Sequence, residues 1–159
     1  MTTDKKTQCA EKLAQSRTNL KNLLASLTEE QWQTAIVSEG QTWTAADIVA
    51  HLLENEKAMS IHVHKIRQGK VTVPEGFDLQ KWNAGLKNRI SAAAPAALLE
   101  DLEQARARTL AELETIRDDE WNLEGRHPLH GPITIEQYYI TIAGHDDWHA
   151  NDIKRALKL

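Results

Sequence analysis

The sequence predicts an all-α protein, a four-helix bundle, on three observations. Apolar residues recur at steps of three and four along four long segments, the period of helices that bury one face. Two of those segments begin with a Thr followed three residues later by an acid or amide, the pattern of a capping box. The gaps between segments are short and few residues favour strands, as expected of helices packed beside their neighbours.

Each element can be justified in turn. Residues 6–27 carry Leu13, Leu20, Leu23, Leu24 and Leu27 on one side, and Thr28-Glu29-Glu30-Gln31-Trp32 restarts a short helix. The loop Ser38-Glu39-Gly40-Gln41-Thr42-Trp43 breaks the pattern. Thr44 and Asp47 then open a second helix that runs to about residue 66. Gly69, Pro74 and Gly76 mark the next connection, and Asp78 begins a helical stretch through residue 90. Pro95 suits the first position of a further helix, with residues 97–116 rich in Leu, Ala, Glu and Arg. The alanine run of residues 92–97 contains that proline and predicts a kink or a break. A second Gly/Pro-rich connection, residues 125–132, leads to Thr134 and Gln137, whose capping box opens the last helix.

Composition sets the outer bounds. A chain of 159 residues with 41% hydrophobic content suits one domain, residues 1–159, burying about two thirds of its unfolded surface. Nineteen basic against 23 acidic residues give a net charge of −4 without a basic block, so nucleic acid is not expected as a partner. No apolar run approaches the roughly 20 residues a bilayer requires, and the first residues lack the apolar stretch of a signal peptide. A cytoplasmic protein without membrane contact is the expectation. Cys9, the single cysteine, has no partner for a disulfide and stands far from the histidines in sequence.

The chemistry concentrates in the last helix. Ile135, Tyr138, Ile142, His145, His149, Ile153 and Ala156 follow one another at steps of three or four, so two imidazoles one turn apart occupy a core-facing stripe. Burying them costs roughly 1–3 kcal/mol for each unsatisfied group, and a bound metal would satisfy both. On the second helix Ile48, His51, Asn55, Met59, His62 and Ile66 make a similar stripe, which a bundle can bring to the pair. His62 shares the angular position of His51 but lies about 16 Å further along the axis, too far to share its ion. His64, His127 and His130 read as ordinary exposed imidazoles, the last two as lid residues at most.

The run Trp43-Thr44-Ala45-Ala46-Asp47-Ile48-Val49-Ala50-His51-Leu52 resembles the Trp-Thr/Ser-x-x-Asp/Glu-x-x-x-His-Leu signature of the DinB-like four-helix bundle superfamily. The stretch from Gly131 through Pro132-Ile133-Thr134-Ile135-Glu136 to His145-x-x-x-His149-x-x-x-Ile153 resembles that family's final helix. The resemblance extends to Leu27-Thr28-Glu29-Glu30-Gln31-Trp32 and to the helical stretch after Pro95. It implies an up-down-down-up bundle that holds one divalent metal ion through His51, His145 and His149. The family includes bacillithiol- and mycothiol-dependent transferases and isomerases as well as metal-dependent hydrolases, so membership does not specify a reaction. Where some relatives place a carboxylate, all three positions here are histidine.

Three neutral imidazoles leave an ion its charge and an open position for water or substrate, whereas structural zinc is normally closed by four ligands including thiolates. Zinc, nickel and iron(II) all accept nitrogen ligands. Such an ion lowers the pKa of a bound water or thiol, which serves hydrolysis and thiol transfer alike. The reading is therefore a metal-dependent enzyme acting on a small molecule, with thiol transfer from a low-molecular-weight thiol ahead of hydrolysis on family analogy. The alternatives are a non-catalytic, stress-linked metal-binding bundle and a plain structural bundle. Asn55 and Asn83 are the pocket candidates, with Trp82 as an indole wall, while Trp32, Trp43, Trp121 and Trp148 read as packing residues. A basic pocket rim would indicate an anionic thiol and an apolar cup a neutral substrate. Leu98, Leu99, Leu102, Leu110 and Leu113 exceed what one narrow seam needs, and a homodimer is the expectation drawn from them.

Overall fold

Thr44 and Thr134 each accept a hydrogen bond from the backbone N–H three residues on, while the side chain there, Asp47 or Gln137, accepts from the Thr N–H. Both capping boxes therefore start long helices where the sequence places them. The computed structural model describes residues 4–89 and 95–159. The long helices are α1 (Lys5–Ala25), α3 (Ala45–Arg67), α5 (Pro95–Glu114) and α6 (Ile135–Leu157), with the short α2 (Glu29–Trp32) and α4 (Leu79–Arg89) between them. The kink or break expected at the alanine run falls on positions 90–94, outside the described residues.

Helix directions follow from which ends share a core. At one end Leu20 and Leu24, late in α1, meet Ile48 and Leu52, early in α3, Leu98 and Leu102, early in α5, and Ile153, late in α6. At the other end Cys9 and Leu13 meet Val63 and Ile66, Leu113, and Ile135 through Ile142. Helices α1 and α6 therefore run together and α3 and α5 run against them, the up-down-down-up order. The connection from α3 to α5 must return along the whole bundle, and α4 lies on that path.

Two hairpins depart from the expected connections. Strands β1 (Ile36–Ser38) and β2 (Gln41–Trp43) pair antiparallel, as do β3 (Glu124–His127) and β4 (Gly131–Thr134). At three or four residues each they are too short to show an alternating pattern. The first turn has Glu39 and Gly40 both at positive φ, 50° and 75°, the two-residue turn that suits the twist of a hairpin. Gly125 permits the second hairpin to lie against α3, since a Cβ there would stand 2.4 Å from Ile66 Cγ1.

Between the apolar ends lies a buried ionic layer. Arg17 donates to Asp146 and, at 2.8 Å, to Glu56; Arg106 donates to Glu56 at 2.7 Å and to Asp146 at 3.1 Å. Thr109 Oγ1 donates to Glu56 Oε1 at 2.8 Å, and the guanidinium groups also reach the Leu102 and Leu13 carbonyls. Two cations and two anions balance, and one comes from each long helix. Burial by itself would raise the Glu56 carboxyl, but Arg106 and Arg17 outweigh it and hold it below the usual range.

The leucines of α5 are occupied within the chain. Leu98, Leu102 and Leu113 are buried, and Leu99 and Leu110 pack against the two cores. They form no outer stripe, so the expectation of a homodimer loses the observation it stood on. No helix among the described residues is long and apolar enough to cross a membrane.

Candidate metal centre

The early turns of α3 and the late turns of α6 share one end of the bundle, and their histidines meet there. His51 is 1% exposed, and its ring centroid lies 5.1 Å from both His145 and His149. One turn of α6 separates the other two rings by 4.5 Å. The β1–β2 turn then adds a fourth group. Glu39 places Oε2 at 2.8 Å from His51 Nε2 and 3.6 Å from His149 Nε2, and Oε1 at 3.4 Å from His145 Nε2. One donor atom from each of the four lies within 4.8 Å of all the others.

These four residues fit a divalent cation. Among the described residues His51 Nδ1 is buried with no hydrogen-bond partner, and His51 Nε2 and Glu39 Oε2 are buried facing each other at 2.8 Å. A shared ion would take the lone pairs of His51 Nε2 and Glu39 Oε2 together, while His51 Nδ1 lies on the other side of the ring. His145 and His149 set their Nε2 atoms 2.9 Å apart. Three imidazole nitrogens and a carboxylate oxygen suit zinc, nickel or iron(II). Burial alone would raise the Glu39 carboxyl; the three imidazoles, His145 first, outweigh it and hold it well below the usual carboxylate range.

A supporting shell orients one ring. His149 Nδ1 stands 3.3 Å from Ser38 Oγ and 3.4 Å from Asp152 Oδ2, and Ser38 Oγ donates to that same oxygen. A carboxylate on this side favours a proton on Nδ1 and leaves the Nε2 lone pair facing the cluster. Trp43 packs against His51, with ring centroids 5.2 Å apart, while its indole N–H donates to the Ser38 carbonyl. Trp148 lies parallel to His149 at 5.8 Å.

A cavity of about 250 Å³ opens beside Glu39, His51 and His145. Asn55 and Asn83 both line it, and Asn83 is buried, its Oδ1 without a hydrogen-bond partner among the described residues. Trp148, read as packing, is instead 44% exposed and forms part of the wall. His127 departs from the exposed loop residue expected: it is buried, and its imidazole is pushed down to about 4 by that burial and by His130, His62 and His145. No lysine or arginine lines the cavity among the described residues. A second cavity of about 90 Å³ shares Asn55, Met59, Leu79 and Pro128 with the first and is walled by Trp82 and His62. His62 stands apart from the three histidines, beside Tyr138. Cys9 is buried in the opposite core, its thiol pushed up to about 11, chiefly by burial.

Glu39, Ser38 and Asp152 are absent from the candidates read in the sequence, and His127 enters there only as a lid residue. Asp152 carried a signal, three residues after His149 on one helix. Glu39-Gly40 also carried one, as a two-residue turn between Ile36-Val37-Ser38 and Gln41-Thr42-Trp43.

Comparison with known proteins places this architecture. The family model of the DinB superfamily matches residues 12–153. YfiT from Bacillus subtilis, a probable metal-dependent hydrolase with an unusual four-helix bundle topology, is 21% identical, with 99% of this chain and 90% of that one covered and a TM-score of 0.73. A mycothiol-dependent maleylpyruvate isomerase is 16% identical at a TM-score of 0.73; the match covers 93% of this chain but 60% of that protein. The colibactin self-resistance protein ClbS, solved in complex with dsDNA, is 16% identical at a TM-score of 0.77, with 97% and 96% covered. That complex overturns the exclusion of nucleic acid drawn from net charge, because a protein of this fold binds a duplex. Overall charge does not report how charge is distributed over a surface. No curated protein matches the sequence.

Proposed function

The chain belongs to the DinB superfamily, and from that footing we propose that it is a metal-dependent hydrolase of a small uncharged molecule. The observation that carries this reading is the convergence of Glu39, His51, His145 and His149 beside a cavity lined by no lysine or arginine among the described residues. A divalent ion held by the three imidazoles, with Glu39 as a fourth ligand or a neighbouring hydrogen-bond acceptor, would supply Lewis acidity and lower the pKa of water. Asp152 and Ser38 hold the His149 ring in register, and Trp43 buttresses His51. Glu39, held ionised by the three imidazoles, would serve as an anionic ligand or as an acceptor that orients a water beside the ion. Trp148 and Leu129 supply apolar wall that limits water around the substrate.

Thiol transfer is the second reading. It is favoured by the second cavity, which offers room for a thiol beside a substrate, and by the fold shared with the mycothiol-dependent isomerase. The first cavity, lined by the Glu39 carboxylate and by no lysine or arginine among the described residues, disfavours an anionic thiol.

The test is hydrolysis of neutral esters and anilides, p-nitrophenyl acetate and acetanilide first, by metal-loaded protein, a chelated control and His149→Ala. Metal-dependent turnover lost in the variant supports the proposal. Turnover that appears only with added thiols moves the assignment to transfer. Bound metal with no rate above the control, with or without thiol, leaves a non-catalytic metal-binding bundle.

A further inference from the structure

This inference rests on reading the 250 Å³ cavity as the substrate cleft and concerns what that cleft accepts. His127 ends β3, and the following turn folds back on its ring. Its Nδ1 accepts the backbone N–H of Leu129 at 3.0 Å and of His130 at 3.2 Å. A ring nitrogen that accepts two N–H donors carries no proton, so the neutral imidazole keeps its proton on Nε2. The ring stacks on His130 at 4.6 Å between centroids and meets Tyr138 edge-on at 5.8 Å, which fixes its direction. It is 8% exposed and forms part of the cavity wall. His127 is thus a neutral donor that cannot become a charged one without losing both backbone bonds.

A complementary acceptor lines the same cavity. Asn83 is 1% exposed, and its Oδ1 has no hydrogen-bond partner among the described residues. Turning that oxygen toward a ligand breaks no bond it now makes. Glu39, His51 and His145 form one side of the wall, and Met59, Leu79, Leu129 and Trp148 supply its apolar part.

We propose that the cavity binds neutral carboxamides, with His127 Nε2–H donating to the carbonyl oxygen and Asn83 Oδ1 accepting from the amide N–H. One fixed donor and one unpaired acceptor select against ligands lacking either partner, because the buried group left over is then unsatisfied. An aryl group beside the amide packs against Trp148 and the aliphatic wall.

Benzamide is the probe, titrated into the purified protein beside acetophenone, which keeps the carbonyl but lacks the amide N–H, and toluene, which lacks both. The expected result is benzamide binding at least about tenfold tighter than either comparator. His127→Asn, whose Oδ1 can still take the Leu129 and His130 amides, weakens benzamide by about tenfold, and Asn83→Leu does the same. Equal binding of the three probes, or unchanged benzamide affinity in both variants, overturns the proposal. A long-range proton–nitrogen NMR spectrum of His127 supplies a test that needs no variant. Protonated Nε2 with bare Nδ1 supports the assignment, and protonated Nδ1 overturns it. Selective benzamide binding without hydrolysis supports this inference while removing the proposed reaction; hydrolysis without selective benzamide binding does the reverse.

Discussion

Arg17 on the first long helix holds Asp146 on the last by two hydrogen bonds, at 2.9 and 3.2 Å, one residue away from His145. The ionic layer that ties the four helices together thus shares a helical turn with the candidate metal centre. Positioning of the His145 backbone and satisfaction of two buried arginines depend on the same carboxylate.

Breaking that layer is expected to cost more than any surface change. Glu56→Gln leaves Arg17 and Arg106 with a charge deficit in a dry site, and removal of one partner of a buried pair typically costs about 3–5 kcal/mol. Urea unfolding should show a loss of that order for Glu56→Gln and a comparable one for Asp146→Asn. Lys57→Ala, which loses only an exposed pair with Glu54, should stay within about 0.5 kcal/mol of the parent.

Two groups make stability fall with acid in separate windows. His127 has a folded pKa of about 4 against an unfolded value near 6.5, so the unfolded chain binds more protons between them. Its contribution is fully present above about 6.5 and lost as the pH falls toward 4. Glu56, whose folded value is also depressed, contributes above its unfolded value of about 4.3 and loses that as the pH falls further. Unfolding curves of metal-free parent and His127→Asn should therefore converge between pH 6.5 and 4. A constant gap across that window would refute the assignment to His127.

Metal content tests the cluster directly. Protein prepared without an affinity tag should carry close to one divalent ion per chain by elemental analysis, and His145→Ala should lose most of it. Glu39→Asn keeps a residue that tolerates the left-handed turn while removing the carboxylate, so it separates ligation from turn geometry. Weaker binding with an unchanged fold is the expected result. His62→Ala, on a ring outside the cluster, should leave the content unchanged.

The shell around His149 predicts a graded effect. Asp152→Asn preserves shape but removes the charge that favours a proton on Nδ1, and loss of such a partner typically lowers metal affinity by about 10–100-fold. Competition with a chromophoric chelator reads this without any substrate. An Asp152→Asn protein with parental affinity would show that Ser38 alone suffices to orient the ring.

Helical period and capping are local properties, so the four long helices, their starts at Thr44 and Thr134, and the shared stripe of His145 and His149 are legible in the chain itself. The candidacy of His51 is legible too, since it stands on the buried stripe of its own helix. Glu39 joins the histidines only because a hairpin lays its turn across the ends of two helices, a contact between segments about 10 and 110 residues apart. Arg17 and Arg106 look like breaks in apolar faces until Glu56 and Asp146 arrive from other helices to neutralise them. His127 reads as an exposed loop histidine until its turn folds back and donates two amides to the ring. Patterns within one helix need only the neighbours a few residues away, whereas charge balance, ligand convergence and the shape of a cleft depend on which distant segments the packed bundle brings together.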